Sequence, residues 1–137
     1  MIEKDRRYLA NKGKIIKDAL AHNKVNVIAV NSDAGMGKTT LLRYIRDTAT
    51  FPNIEVIDLG YMESKSDVET SLTDKENTLF LLDEHPNINI TNLLPELKKI
   101  RKHKNKIIIF SHKKADIMGE VGDMVQLFIE LNKEDKI

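Results

Sequence analysis

Ser32-Asp33-Ala34-Gly35-Met36-Gly37-Lys38-Thr39-Thr40 is the stretch that decides the fold. Before it stands Val25-Asn26-Val27-Ile28-Ala29-Val30, a short β-branched run that predicts a strand. After it, Leu41, Leu42 and Ile45 fall on one side of a predicted helix over 38–47. Two glycines let the backbone curl, so that consecutive N–H groups can point inward at phosphate oxygens. The following helix presents its N-terminal N–H groups and positive dipole end to the same anion. Lys38 adds a mobile charge for terminal phosphates, and the Thr39 hydroxyl can hold Mg²⁺. The pattern G-x-x-x-x-G-K-[ST] is met except at its first position, where Ser32 stands. The plain alternative is a chance Gly-Lys-Thr in a turn; the flanking strand and helix argue against it.

Outward from this loop, strand and helix alternate. Residues 1–22 predict a helix, with Leu9, Ile16, Leu20, Ile15 and Ala19 at helical spacing and a break expected near Asn11 to Gly13, because glycine costs about 1 kcal/mol there. Further strands are expected at 54–59, 78–83, 107–110 and 124–131, with a short helix around 68–72 and a longer one over 92–104. Thr91 or Asn92 would cap the longer helix and Pro95 is tolerable in its first turn. Apolar runs without alternation at 78–83 and 107–110 belong in a buried parallel sheet. The expectation is one parallel α/β domain over 1–137, an N-terminal helical segment at 1–23 and a core at 24–131.

The chain has 137 residues, 41% hydrophobic and 31% charged, enough for one core and not the composition of a disordered tail. No apolar run approaches the roughly 20 residues of a membrane span, and Met1 to Arg7 does not begin a secretory signal. Zero cysteines exclude disulfides, a thiolate zinc site and a cysteine nucleophile, which agrees with a cytoplasmic protein. The net charge of +1 is unevenly spread. Residues 98–114 carry eight Lys/Arg and no acid, whereas 55–76 carry seven acids against two lysines.

Leu79-Phe80-Leu81-Leu82-Asp83-Glu84 places two carboxylates at the end of an apolar strand. Asp83 can fix Mg²⁺, and Glu84, pointing differently, can polarise an attacking water. Both could instead cap the strand at its solvent end. With the phosphate loop upstream, the chain resembles the P-loop ATPases of the additional-strand, catalytic-glutamate class, which includes AAA+ and RecA-like proteins. Gly35-Met36-Gly37-Lys38-Thr39-Thr40-Leu41-Leu42 is similar to the phosphate loop of AAA+ and NACHT-type ATPases, and Asp83-Glu84 to their second motif. The resemblance covers roughly residues 14–131 and implies a five-stranded sheet of order 5-1-4-3-2 with helices on both faces, without the family's helical lid. It implies ATP and Mg²⁺ as ligands, Ser32 to Thr40 as the cradle, Thr39 and Asp83 on the metal, and Lys38 and Glu84 in catalysis. Ser111 and His112 stand where that class senses the γ-phosphate. Arg101 lies on the helix from which related ATPases present a residue to the next subunit, so a homo-oligomer or a partner-dependent ATPase is expected.

Other readings weigh less. Ser111-His112 also resembles the switch histidine of ABC-type ATPases, but the Leu-Ser-Gly-Gly-Gln-like signature is absent before Asp83. Asn132-Lys133-Glu134-Asp135 matches the guanine-reading N-K-x-D, yet Asp83-Glu84-His85-Pro86 is not D-x-x-G. A small-molecule kinase would carry an acceptor lid, and none is visible. Asp33, Asp58, Tyr61 and His85 read as ordinary loop or strand-end polarity; His22 and His103 have no metal spacing. On the predicted 92–104 helix, Leu93, Leu97 and Ile100 share one face, while Lys98, Lys99 and Lys102 spread over the other. The basic segment from Lys98 to Lys106 is either a solvated face or a contact for single- or double-stranded nucleic acid. The function expected is Mg-dependent ATP hydrolysis coupled to replication, recombination or packaging; the alternative is a nucleotide-gated protein-binding module with little turnover.

Overall fold

The computed structural model describes residues 3–22, 24–32, 37–58, 76–83, 99, 104–111 and 124–131. Five strands form one sheet: β1 (Val27–Ser32), β2 (Asn53–Asp58), β3 (Thr78–Asp83), β4 (Lys106–Ser111) and β5 (Leu127–Leu131). Their order is β2-β3-β4-β1-β5, every pairing is parallel, and this is the order expected from the resemblance. The three inner strands β1, β3 and β4 hold the continuous apolar runs. Val27 to Val30, Leu79 to Leu82 and Ile107 to Phe110 are all at most 1% exposed. A sheet covered on both faces requires that pattern, since alternate residues point to opposite sides.

Two helices, α1 (Glu3–Leu20) and α2 (Lys38–Thr48), lie on one face. Leu9, Ile16 and Leu20 of α1 and Leu41, Leu42 and Ile45 of α2 join Ile28, Val30, Leu79, Leu81, Ile108 and Phe110 in one core cluster. Each such side chain contributes roughly 1.5–3 kcal/mol by leaving water. That burial holds α1, because most helical stability in proteins comes from the packing of an amphipathic face. The helices run in parallel: Leu9 meets Gly37, Gly13 meets Tyr44 and Leu41, and Lys17 meets Tyr44 and Thr48.

The break expected near Gly13 does not occur; α1 is continuous from Glu3 to Leu20. The glycine serves packing. A methyl group there would come within 2.5 Å of Tyr44 Cε1 and 2.6 Å of Cδ1, so only hydrogen leaves room for the ring. Lys17 Nζ then sits 4.6 Å from the ring centroid and donates to Thr48 Oγ1 at 3.1 Å. Strand bounds also shift. β1 starts two residues later than expected and runs through Ser32, and β5 starts at Leu127 rather than Met124. Gln126 explains the second shift: its Oε1 accepts from the Asn26 and Val27 N–H groups at 3.0 and 2.7 Å, and its Nε2 donates to the Met124 carbonyl. At the same end of the sheet, Lys106 Nζ donates to the Leu20 and His22 carbonyls at 2.5 and 2.8 Å, closing the C-terminus of α1. The helices expected at 68–72 and 92–104 lie outside the described residues, apart from Lys99, which is helical and exposed, and Lys104, an exposed turn residue.

Candidate functional site

Ser32 ends β1 and Lys38 begins α2, so the loop between them sits at the carboxyl end of the sheet, where ligands of open α/β folds bind. Gly37 caps α2 with φ 90° and ψ 24°, a left-handed conformation that glycine reaches without a Cβ penalty. The helix's first hydrogen bond runs from the Leu41 N–H to the Gly37 carbonyl at 2.9 Å, and an α-helix leaves the N–H groups ahead of that bond facing outward from its N-terminus. No acidic residue lies in the first turn of α2, so the positive dipole end is not neutralised from within the helix.

Lys38 is 8% exposed, an unusual burial for a lysine. Its Nζ donates to Asp83 Oδ1 at 2.7 Å. Asp83 ends β3 and, by strand alternation, shares the face of Leu79 and Leu81 on which α2 packs. The sheet thus brings together two residues 45 positions apart in sequence. Thr39 and Thr40 stand exposed in the first turn of α2. Ser32 is a strand residue, 1% exposed and in register with Leu131.

Ser111 ends β4, fully buried, on the sheet face opposite Asp83, and its Oγ donates to Asn31 Oδ1 at 3.4 Å. Asn31 was not singled out in the sequence; it stands one residue before the loop and faces the side on which Ser111 lies. Leu9, expected only as an apolar helix position, packs beside Gly37, and nothing local in the sequence links the two. Asp33, Ala34, Gly35, Met36, Glu84, Arg101 and His112 lie outside the described residues, as do Lys98 and Lys102.

The donor set fits a phosphate group with a divalent cation. An ammonium and a helix N-terminus suit the anion, while Asp83 and the Thr39 hydroxyl suit the ion. Among the described residues no group of three metal-ligating side chains gathers. Magnesium does not need one, because it takes one or two carboxylates together with water and substrate phosphates.

The sheet order β2-β3-β4-β1-β5, with the connection to α2 leaving β1, is the fold of a P-loop NTPase core and matches that of solved AAA+ ATPases. The RuvB Holliday junction branch migration motor of Thermotoga maritima superimposes with a TM-score of 0.67 at 17% identity, over 90% of this chain and 44% of that one. A variant of the same motor gives 0.67 at 20% identity, over 90% and 45%. PCH-2 of C. elegans gives 0.56 at 14% identity, over 93% and 42%. The chain spans less than half the length of these structures, and at such identities the likeness is one of fold. No protein-family model and no curated protein sequence matches the chain. No described helix is long and apolar enough to cross a membrane.

Proposed function

We propose that this chain binds Mg²⁺–ATP at the end of β1 and hydrolyses it, in the service of nucleic-acid handling. The observation that carries the reading is the 2.7 Å pair between Lys38 and Asp83 at the N-terminus of α2. Such a pair draws an ammonium and a carboxylate to the spot where phosphates and their metal ion would need one of each. On ATP binding, Lys38 exchanges the Asp83 carboxylate for β- and γ-phosphate oxygens. Asp83 and Thr39 are the residues that would hold Mg²⁺, which would supply charge neutralisation for the phosphates. Glu84 orients a water and takes its proton as the water oxygen attacks the γ-phosphorus and the β–γ bridging bond breaks. The backbone from Asp33 through Thr40 cradles the phosphates, Ser111 or His112 reports the γ-phosphate, and Arg101 serves a neighbouring subunit. A cytoplasmic setting accompanies this reading.

Two observations favour a nucleic-acid setting. Lys99 and Lys104 of the basic segment from Lys98 to Lys106 are exposed. RuvB, which shares the fold, is a Holliday junction branch migration motor. The test is phosphate release from ATP measured alone and across a panel of single- and double-stranded DNA and RNA. Release that rises with one of these polymers, and falls steeply with salt, is the expected result. Tight ATP binding without release under any condition would replace the enzyme by a nucleotide-gated binding module.

A further inference from the structure

Gly37, the last glycine of the loop, is held from the side as well as along the chain. The heavy atoms nearest to where its Cβ would stand all belong to one side chain: Leu9 Cδ1 at 2.9 Å, Cδ2 at 3.2 Å and Cγ at 3.6 Å. Leu9 is 4% exposed and Gly37 is half-buried. Glycine has no side chain to cap α2 and reaches the left-handed φ of 90° as readily as other conformations, so a neighbour packed on it can hold it there. The helix that carries Leu9 is anchored along its length. Ile16 and Leu20 are buried in the sheet cluster, Gly13 is pressed on Tyr44, and Lys106 closes the last turn. A leucine on so fixed a support cannot drift away from the glycine it touches.

We infer that Leu9 is a positioning residue for phosphate binding. Its two δ-carbons wedge Gly37 into the left-handed turn, and that turn aims the first N–H groups of α2 and the Lys38 side chain at the phosphates. The inference rests on the ATP reading of the loop. Small misplacements of groups that grip a substrate cost affinity and rate far out of proportion to the lost contact, up to about 10²-fold for about 1 Å. A core leucine elsewhere on α1 has no such reach. Leu20 packs at the other end of the helix, next to the turn that Lys106 closes.

The test compares ATP affinity by calorimetry with thermal stability, using the whole chain with Mg²⁺. The variants are Leu9→Ala, Leu9→Val, Leu9→Met, Leu20→Ala, Gly37→Ala and the double Leu9→Ala/Gly37→Ala. Leu9→Ala should weaken ATP binding at least about tenfold. Leu9→Val, which keeps a branched side chain but withdraws the δ-carbons, should weaken it too and serves if Leu9→Ala does not fold. Leu9→Met should restore it. Leu20→Ala should lower Tm comparably with ATP affinity retained. Gly37→Ala adds a methyl group that meets Leu9, so the double variant should bind better than the product of the single losses implies, as coupled neighbours do. If wild type binds ATP and both Leu9→Ala and Leu9→Val keep its affinity, or if the losses multiply, the inference is overturned alone. If wild type binds no ATP, the reading of the loop falls and the inference with it.

Discussion

At the scale of single residues, the proposed chemistry rests on the pair of Lys38 and Asp83. Their side chains are 9% and 22% exposed, so each has lost much of its water and regained one strong partner at 2.7 Å. Breaking a fully buried pair costs about 3–5 kcal/mol, and Asp83, still partly wetted, lies well below that limit. The pair is therefore tight enough to place two side chains and loose enough to be exchanged for phosphate and metal. Glu84→Gln tests the proposed base beside it. ATP binding should persist while hydrolysis falls by a factor on the order of 10² or more, measured as phosphate release. Hydrolysis at the wild-type rate would make Glu84 a strand cap. The positions of Lys38, Thr39 and Asp83 were legible in the sequence because an apolar run fixes the end of a strand and the glycine before Lys38 fixes the start of a helix. The contact of Leu9 with Gly37 was not, because it exists only once two helices lie side by side.

At the scale of elements, Gly13 shows packing overruling propensity. Alanine should gain α1 about 1 kcal/mol of helix preference. Its methyl group, however, would meet Tyr44 at 2.5 Å, and displacing that ring costs about 1–3 kcal/mol and disturbs the Lys17 contact. Gly13→Ala should therefore lower Tm, by roughly 2–6 °C for a net loss of about 1 kcal/mol. In a Tyr44→Ala background the same substitution should raise Tm; a loss in both backgrounds would mean that the ring is not the reason for the glycine. Lys106 makes the second case. Burial pushes its pKa below the ordinary 10.5, while its amine serves the Leu20 and His22 carbonyls. With the folded value below the unfolded one, the unfolded chain binds more protons between them, so the stability this group supplies is full above 10.5 and falls as pH drops through the folded value. The Tm advantage of wild type over Lys106→Met should widen from pH 7 towards 10.5, and a gap that narrows would contradict the lowering by burial. The strands were legible because an inner parallel strand must be apolar on both faces. The start of β5 was not, because Gln126 is diverted to clamp β1 at a distance of 100 positions.

At the scale of the whole molecule, the strand order places β1 between β4 and β5 and sets β3 two strands away, so that the carboxyl ends of β1 and β3 flank the start of α2. Fold and site are one arrangement here: the order that buries the three inner strands also delivers Asp83 to Lys38. Nothing in that order supplies a guanidinium to the γ-phosphate from α2, where Arg43 is exposed and Arg46, in the last turn, donates to Asp47 at 2.9 Å. A guanidinium at the transferring phosphate is worth about 10³–10⁵ in rate. Turnover per chain should therefore rise with protein concentration, and Arg101→Ala should abolish that rise with ATP binding intact. A rate per chain constant from nanomolar to tens of micromolar, without any partner, would rule out a shared site. The central claim is that Lys38 and the start of α2 hold the phosphates of ATP. Its most direct test is calorimetric titration of wild type and Lys38→Ala with Mg²⁺–ATP: wild type should bind, the variant should lose the heat of binding while keeping a cooperative thermal transition, and equal affinity in the two would contradict the claim.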